Sequence, residues 1–449
     1  MRRSLATHTL GLSIEELDRI AAGCEGLPIV RWSEPASGGI ESWLGIGAAD
    51  ELIAEDAATA LALPDLCRGR LASLESPGDL DPPLRYFGGI AFDPTAPPHP
   101  AWRSGAPARF VLPEILIRIR RGEDRASVAV TETAGAGILG GAGGSRESIR
   151  RLIERWIEKA RFSAIDLRPA IDPRPAIDPP AERERWSRAV RSILAEIEEG
   201  TLRKVVLSRD LVIVSQREIP FLNLLRAIRA VSSRHTGFLF RFDRDSAFLG
   251  ATPEGLLRQA GLDFSCDCIA GTAPRSTDPG MDARLAASLL ESAKERREQA
   301  IVREGILEEL RPLADRLEAE EEPRILDLPG LRHLSSLVTG RMREGVSLGR
   351  LIGALHPTPA VCGLPRERSR RMIRDLEGRP RGWYAGPIGW IDLRESRFAV
   401  GIRSAMLSGS KLTLIAGAGI VEGSDPDSEW EEARMKAASL LRLFTEAQP

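Results

Sequence analysis

"GWIDLRESRFAVGIRSAMLSGSKLTLIAGAGIV" occupies residues 389–421. It holds two strand-like runs, 389–407 and 411–421, with no helical stretch between them. Runs joined by a hairpin-length turn pair antiparallel, whereas a parallel pair needs a crossover of about a dozen residues or more. Similar runs lie upstream: "LRKVVLSRDLVIV" (202–214), "GFLFRFD" (237–243), "SAFLGATP" (246–253) and "LDFSCDCIA" (262–270). Helical periodicity falls in separate blocks, at 185–200, 280–319 and 427–447. Strict alternation of strand and helix is absent, so the pattern predicts an α+β fold with antiparallel sheets.

The first 165 residues mix short strand-like runs, "PEILIRIRR" and "ASVAVTET", with one amphipathic helix, "RESIRRLIERWIEKARF". Then comes "IDLRPAIDPRPAIDPPAERE" (165–184), with a tandem PAIDP. Proline extends such a segment and removes backbone donors, so it reads as a spacer that does not pack. A boundary near residue 180 divides an N-terminal portion, 1–180, from a second region, 181–449.

The chain has 449 residues, 43% hydrophobic and 28% charged, the balance of a soluble globular protein. A net charge of −2 recommends neither nucleic acid nor an anionic membrane as partner. No run approaches a membrane-spanning length, and Glu15, Glu16 and Asp18 argue against a leader peptide at the N-terminus. The five cysteines are scattered and form no CxxC, which fits a reducing cytoplasm. Gly135-Ala-Gly-Ile-Leu-Gly140 spells GxGxxG, but four more small residues follow it and no strand–helix–strand unit surrounds it. It reads as a loop, not a nucleotide site.

Several residues could carry chemistry. Strand alternation places Lys204, Val206, Ser208 and Asp210 on one face. Lysine is almost never buried without a partner, so Lys204 is either a solvated edge residue or a placed reagent. Glu254 follows Pro253 at the end of an apolar strand, where its carboxyl could be held neutral as a general acid or lie in a surface turn. Glu295 and Glu298 form an i,i+3 pair on one helix, as do Glu429 and Glu432 on another. Four such carboxylates facing one cleft would suit Mg²⁺, and solvated charge runs would look the same. Ala399, Gly401 and Arg403 share a strand face, leaving the guanidinium room to grip a carboxylate. The glycine turns "IAGTAPR" and "AGAGIV" bring backbone amides close to an anion. His333 and His356 have no metal-ligand spacing.

These segments, in this order, resemble the chorismate-utilising enzyme family. The resemblance spans residues 186–442 and rests on "KVVLSR", "GATPEGLL", "IAGTAPR", "SAKERREQ", "LRHLSSLVTG", "HPTPAVCGLP", "YAGPIGW", "FAVGIRSA" and "GAGIVEGSDPDSEWEE". It implies two large antiparallel sheets packed around a cleft with helices outside. It also implies chorismate as substrate, Mg²⁺ as cofactor and a cytoplasmic monomer or homodimer. Lys204 matches the general base of the water-using members, and Ala270 stands where aminating members of one branch carry a lysine nucleophile. The resemblance therefore points to isochorismate synthesis of the menaquinone or siderophore type. Salicylate synthesis is the nearest alternative, and a chorismate-aminating subunit partnered with a glutaminase is the more distant one. By the same resemblance Glu254 is the general acid. Glu298 and Glu432 are Mg²⁺ ligands supported by Glu295 and Glu429. Gly271, Thr272, His333, Ala360, Tyr384, Arg403 and Gly419 contact substrate. Gln299 departs from the family's usual histidine.

Overall fold

The computed structural model describes residues 5–36, 39–74, 80–102, 106–120, 125–131, 137–138, 145–163, 180–215, 219–231, 235–328 and 330–445. Its backbone is two large sheets. The 11-stranded sheet has the spatial order Leu5–Leu10, Ala126–Thr131, Ile115–Arg120, Gly39–Ile46, Ile29–Ala36, Thr236–Arg241, Ser246–Thr252, Ser404–Ser408, Lys411–Ile420, Lys204–Val214, Gly363–Leu364. The 10-stranded sheet runs Ala314–Ala319, Leu331–Met342, Asp263–Pro274, Gly255–Ala260, Glu395–Val400, Pro387–Ile391, Tyr86–Ile90, Ala108–Leu112, Asp50–Ala54, with Arg324–Leu328 also on Leu331–Met342. The pairings are antiparallel. The α+β expectation therefore holds, and both sheets mix strands from before and after the proline spacer.

The opening stretch differs in one respect from its sequence reading. Residues 389–407 are not one strand. Pro387–Ile391 and Glu395–Val400 form a hairpin in the 10-stranded sheet, and Ser404–Ser408 belongs to the other sheet. The chain crosses between sheets at Gly401–Arg403. A Cβ on Gly401 would come within 2.6 Å of the Trp383 carbonyl oxygen, and Arg403 has a φ of 49°. That break voids the alternation argument that put Ala399, Gly401 and Arg403 on one strand face.

Two further expectations are corrected. The helical block at 280–319 is helices Pro279–Glu291 and Ala293–Leu310, after which Ala314–Ala319 is a strand. Pro312 cannot continue the helix, and Leu331–Met342 offers a partner edge. The spacer's last residues are helical, because helix Pro180–Glu198 starts at Pro180, where a missing N–H costs nothing. Residues 164–179 lie outside the described residues, as do four of the six in the GxGxxG stretch.

Two cores hold these layers. One lies between the sheets and includes Trp43, Phe87, Phe110, Phe238, Phe248, Trp383 and Trp390. The other sits under helices Ile14–Gly23, Arg146–Ser163, Phe221–Val231 and Pro426–Thr445, against the 11-stranded sheet. No helix among the described residues is long and apolar enough to cross a membrane.

Trp383 joins the first core to the site. Its ring stands edge-on to Trp102 at 4.7 Å and to Phe240 at 5.6 Å, and a Cβ on Gly89 of the opposite sheet would fall 2.8 Å from it. The next residue is Tyr384. Trp383→Ala is expected to lower unfolding free energy by about 3–5 kcal/mol in urea titration, through the cavity it leaves. A cost under about 1 kcal/mol would show that the two sheets are held together elsewhere.

Candidate active site

Strand Lys204–Val214 explains where its first residue goes. Lys204 pairs with Leu364 of the two-residue strand Gly363–Leu364, so that end of the sheet is covered. On the other side Val206 pairs with Gly419 and Ser208 with Gly417, two positions without side chains. Lys204 is fully buried, and its Nζ lies 2.9 Å from Glu298 Oε1. Gly419 makes this possible, since a Cβ there would meet Glu298 Oε1 at 2.3 Å and Lys204 Cε at 3.0 Å.

Beside this pair lies a cleft of about 90 Å³ between the ends of the two sheets. Its walls include Glu254, Ala270, Gly271, Thr272, Glu298, His333, Ala360, Tyr384, Arg403 and Gly419, but not Glu295, Glu429 or Glu432. Lys204 is not itself a wall residue; it contacts the wall through Glu298. Lys436 and Leu440 also line the cleft and were not singled out from sequence. Lys436 had a signal: it stands four residues after Glu432 on one helix face.

Glu254 follows strand Ser246–Thr252 into a tight turn, with Val400 N donating to its carbonyl at 3.0 Å. Its side chain is buried, and Oε1 has no hydrogen-bond partner. Burial and the nearby Asp267 carboxylate push its pKa up to about 8, against the pull of Lys204 and Lys436. The strand-end reading of this residue as a neutral acid therefore has a physical cause.

His333 is buried on strand Leu331–Met342, its Nδ1 3.0 Å from the Gly271 carbonyl oxygen and 3.1 Å from Thr272 Oγ1. Burial and Arg403 push its pKa down to about 3, so it is neutral. With the proton on Nδ1 donated to Gly271, Nε2 accepts from Arg403 Nη2 at 3.4 Å. That contact aims the guanidinium along the cleft. Gly271 itself has a φ of 78° at a bulge in its strand, which directs the Thr272 N–H to Glu295 Oε2 at 2.8 Å.

The four helix carboxylates converge from helices Ala293–Leu310 and Pro426–Thr445. Each meets a cation: Glu298 meets Lys204, Glu432 meets Lys436 at 2.6 Å, and Glu429 meets Lys294 at 2.7 Å, with Glu295 3.8 Å from the same Lys294. Among the described residues no three His, Cys, Asp or Glu groups stand close enough to hold a metal ion in this arrangement. The donor set nevertheless suits a hard divalent cation. Burial and Glu298 push Glu295 up to about 7. Burial and Glu432 raise Glu429, whose Oε2 is buried without a partner. Burial acts upward on Glu432 as well, but Lys436, Lys294 and Lys204 together outweigh it and hold that group low. Gln299 turns away and donates to Ser336 Oγ at 2.8 Å inside the fold.

A second buried pair fixes the walls. Arg381, paired with Glu377, donates to the carbonyl oxygens of Val206 and Val361, both at 2.8 Å. It thereby ties the lysine strand to the Ala360 loop. Sequence patterning offered no sign of this, because "EGRPRG" looks like a surface turn.

A model of the family described as chorismate binding enzyme matches residues 31–445. The chain is 38% identical over 273 residues to the isochorismate synthase DhbC of Bacillus subtilis, covering 59% of this chain and 68% of that protein. It is 30% identical over 357 residues to the isochorismate synthase MenF of the same organism, covering 79% and 73%. The structure of MenF, the menaquinone-specific isochorismate synthase from Escherichia coli, superposes with a TM-score of 0.74 at 25% identity, over 99% of this chain and 95% of that one.

Glu254 gives a stability test. Its folded pKa, about 8, lies above the ordinary value of 4.5, so the folded state holds its proton longer than the unfolded chain does. The group therefore destabilises the fold progressively as pH rises from about 4.5 to 8. Glu254→Gln is expected to gain about 3 kcal/mol on the parent between pH 5 and pH 8 in paired denaturation curves. A constant difference across that range would mean that Glu254 titrates normally.

Proposed function

The chain belongs to the chorismate-binding enzyme family, and from that membership we propose that it is an isochorismate synthase that adds water at C2 of chorismate and expels the C4 hydroxyl. The observation that carries the reading is a buried, neutral glutamic acid on the wall of a cleft that has a buried lysine behind it, in contact with the wall residue Glu298. Water is a poor nucleophile and hydroxide a poor leaving group, so the reaction needs a base and an acid together.

Lys204 is the base. In its neutral form it takes a proton from water as the new C2–O bond forms. The ring double bonds shift, the C4–O bond breaks, and Glu254 gives its proton to the departing hydroxyl. One water enters and one leaves. Arg403, held by His333, grips a substrate carboxylate, with Tyr384 and the backbone at Gly271 and Gly419 completing the cradle. Glu298 and Glu432 would hold Mg²⁺, with Glu295 and Glu429 behind them. When bound, that ion would offset the charge of the substrate carboxylate and of Glu298.

Incubating the purified chain with chorismate and Mg²⁺ is expected to yield isochorismate and no pyruvate by chromatography. Release of pyruvate would replace this reading with salicylate synthesis, and a product formed only with ammonia would replace it with amination. Isochorismate feeds several routes, and the similar proteins include both menaquinone and siderophore types.

Lys204→Ala is expected to abolish turnover while Mg²⁺-dependent chorismate binding persists. Because the acid must carry its proton, kcat/KM is expected to level off or decline as pH rises through about 8. Activity that keeps climbing to pH 10 would remove Glu254 from the role.

A further inference from the structure

One carboxylate close to the cleft has no part in the mechanism above. Asp267 sits partly buried in the middle of strand Asp263–Pro274, and its Oδ2 accepts from the Gly255 N–H at 2.9 Å. Gly255 immediately follows Glu254. The approach is close enough that a Cβ on Gly255 would lie 2.7 Å from that oxygen. The turn carrying Glu254 is thus tied from behind by a charged group, where an uncharged amide would satisfy the same N–H.

We propose that Asp267 is a positioning residue for the general acid, holding the turn through Gly255 and using its negative charge to keep Glu254 in the proton-bearing form. This rests on the assignment of Glu254 as the acid. The groups that face Glu254 are few. Strand Asp263–Pro274 presents Asp267 and the thiols of Cys266 and Cys268, both held protonated by burial. The lysine strand presents Lys204, and helix Pro426–Thr445 presents Lys436. Both lysines favour ionised Glu254. Asp267 is the one carboxylate among these neighbours that opposes them, and after burial it is the largest influence raising Glu254. Burial raises the pKa of Asp267 itself above its ordinary value, while the Gly255 N–H, Arg258 and Arg324 favour its charged form and Glu320 opposes it.

The distinguishing variant is Asp267→Asn, which keeps an acceptor for the Gly255 N–H and removes only the charge. Infrared titration of the metal-free protein follows the protonated carboxyl band of Glu254, identified as the band lost in Glu254→Gln. In the parent its midpoint is expected near pH 8, and in Asp267→Asn about one unit lower. Turnover of Asp267→Asn should fall relative to the parent as pH rises from 6.5 to 8. Should that variant not fold, Asp267→Ser, with a small acceptor and no charge, must show the same displacement. An unmoved midpoint overturns the proposal, and so does a loss of turnover that is equal at every pH. Normal turnover in Glu254→Gln would instead sink the acid assignment, and would leave the displaced midpoint standing.

Discussion

The site depends on a lysine ammonium held away from water by one carboxylate. Lys204 and Glu298 meet at 2.9 Å inside the protein, and neither charge could remain there without the other. That contact constrains the surroundings. The partner strand must carry glycine at 419, because any side chain would displace the pair. The sheet edge must be covered, which the short strand Gly363–Leu364 does. The strand must also keep its distance from the loop opposite, which Arg381 sets by bridging two carbonyl oxygens.

Charge crowding runs through the whole cleft. Glu254 is kept neutral, Glu295 and Glu429 are pushed upward, and His333 is held unprotonated. Each shift is a folding cost that a purely structural core would avoid, and such clusters mark sites of chemistry. The lysines Lys204, Lys294 and Lys436 relieve part of it by standing against carboxylates. That arrangement is what a cluster of acidic groups adopts when its own side chains are the nearest cations.

Much of this was legible beforehand, for identifiable reasons. Strand runs separated by hairpin-length turns can pair only antiparallel, so the sheets followed from spacing. At Glu254 the strand-end position alone left a buried acid and a surface turn both open, and the family resemblance chose between them. The acidic pairs were legible because i,i+3 spacing places them on one helix face. Arg403 was found for a mistaken reason: the alternation that exposed it belongs to a strand that ends at Val400, and the residue lies in the crossing between sheets. Lys436, Asp267 and the Glu377–Arg381 pair were passed over. Charged residues on helices and in turns look alike in sequence whether water or protein surrounds them.

The amino-acid sequence by itself determined the fold class, the order of the segments and which residues are candidates for acid, base and metal ligands. Local periodicity encodes the first two, and the linked motifs that carry the family resemblance single out the third. Only the tertiary structure decided that Lys204 is buried, that Glu298 is its partner and that Glu254 is neutral. These depend on solvent exclusion and on charges far apart in sequence. Residues 204, 254, 298 and 419 become neighbours only when the two sheets close on one another.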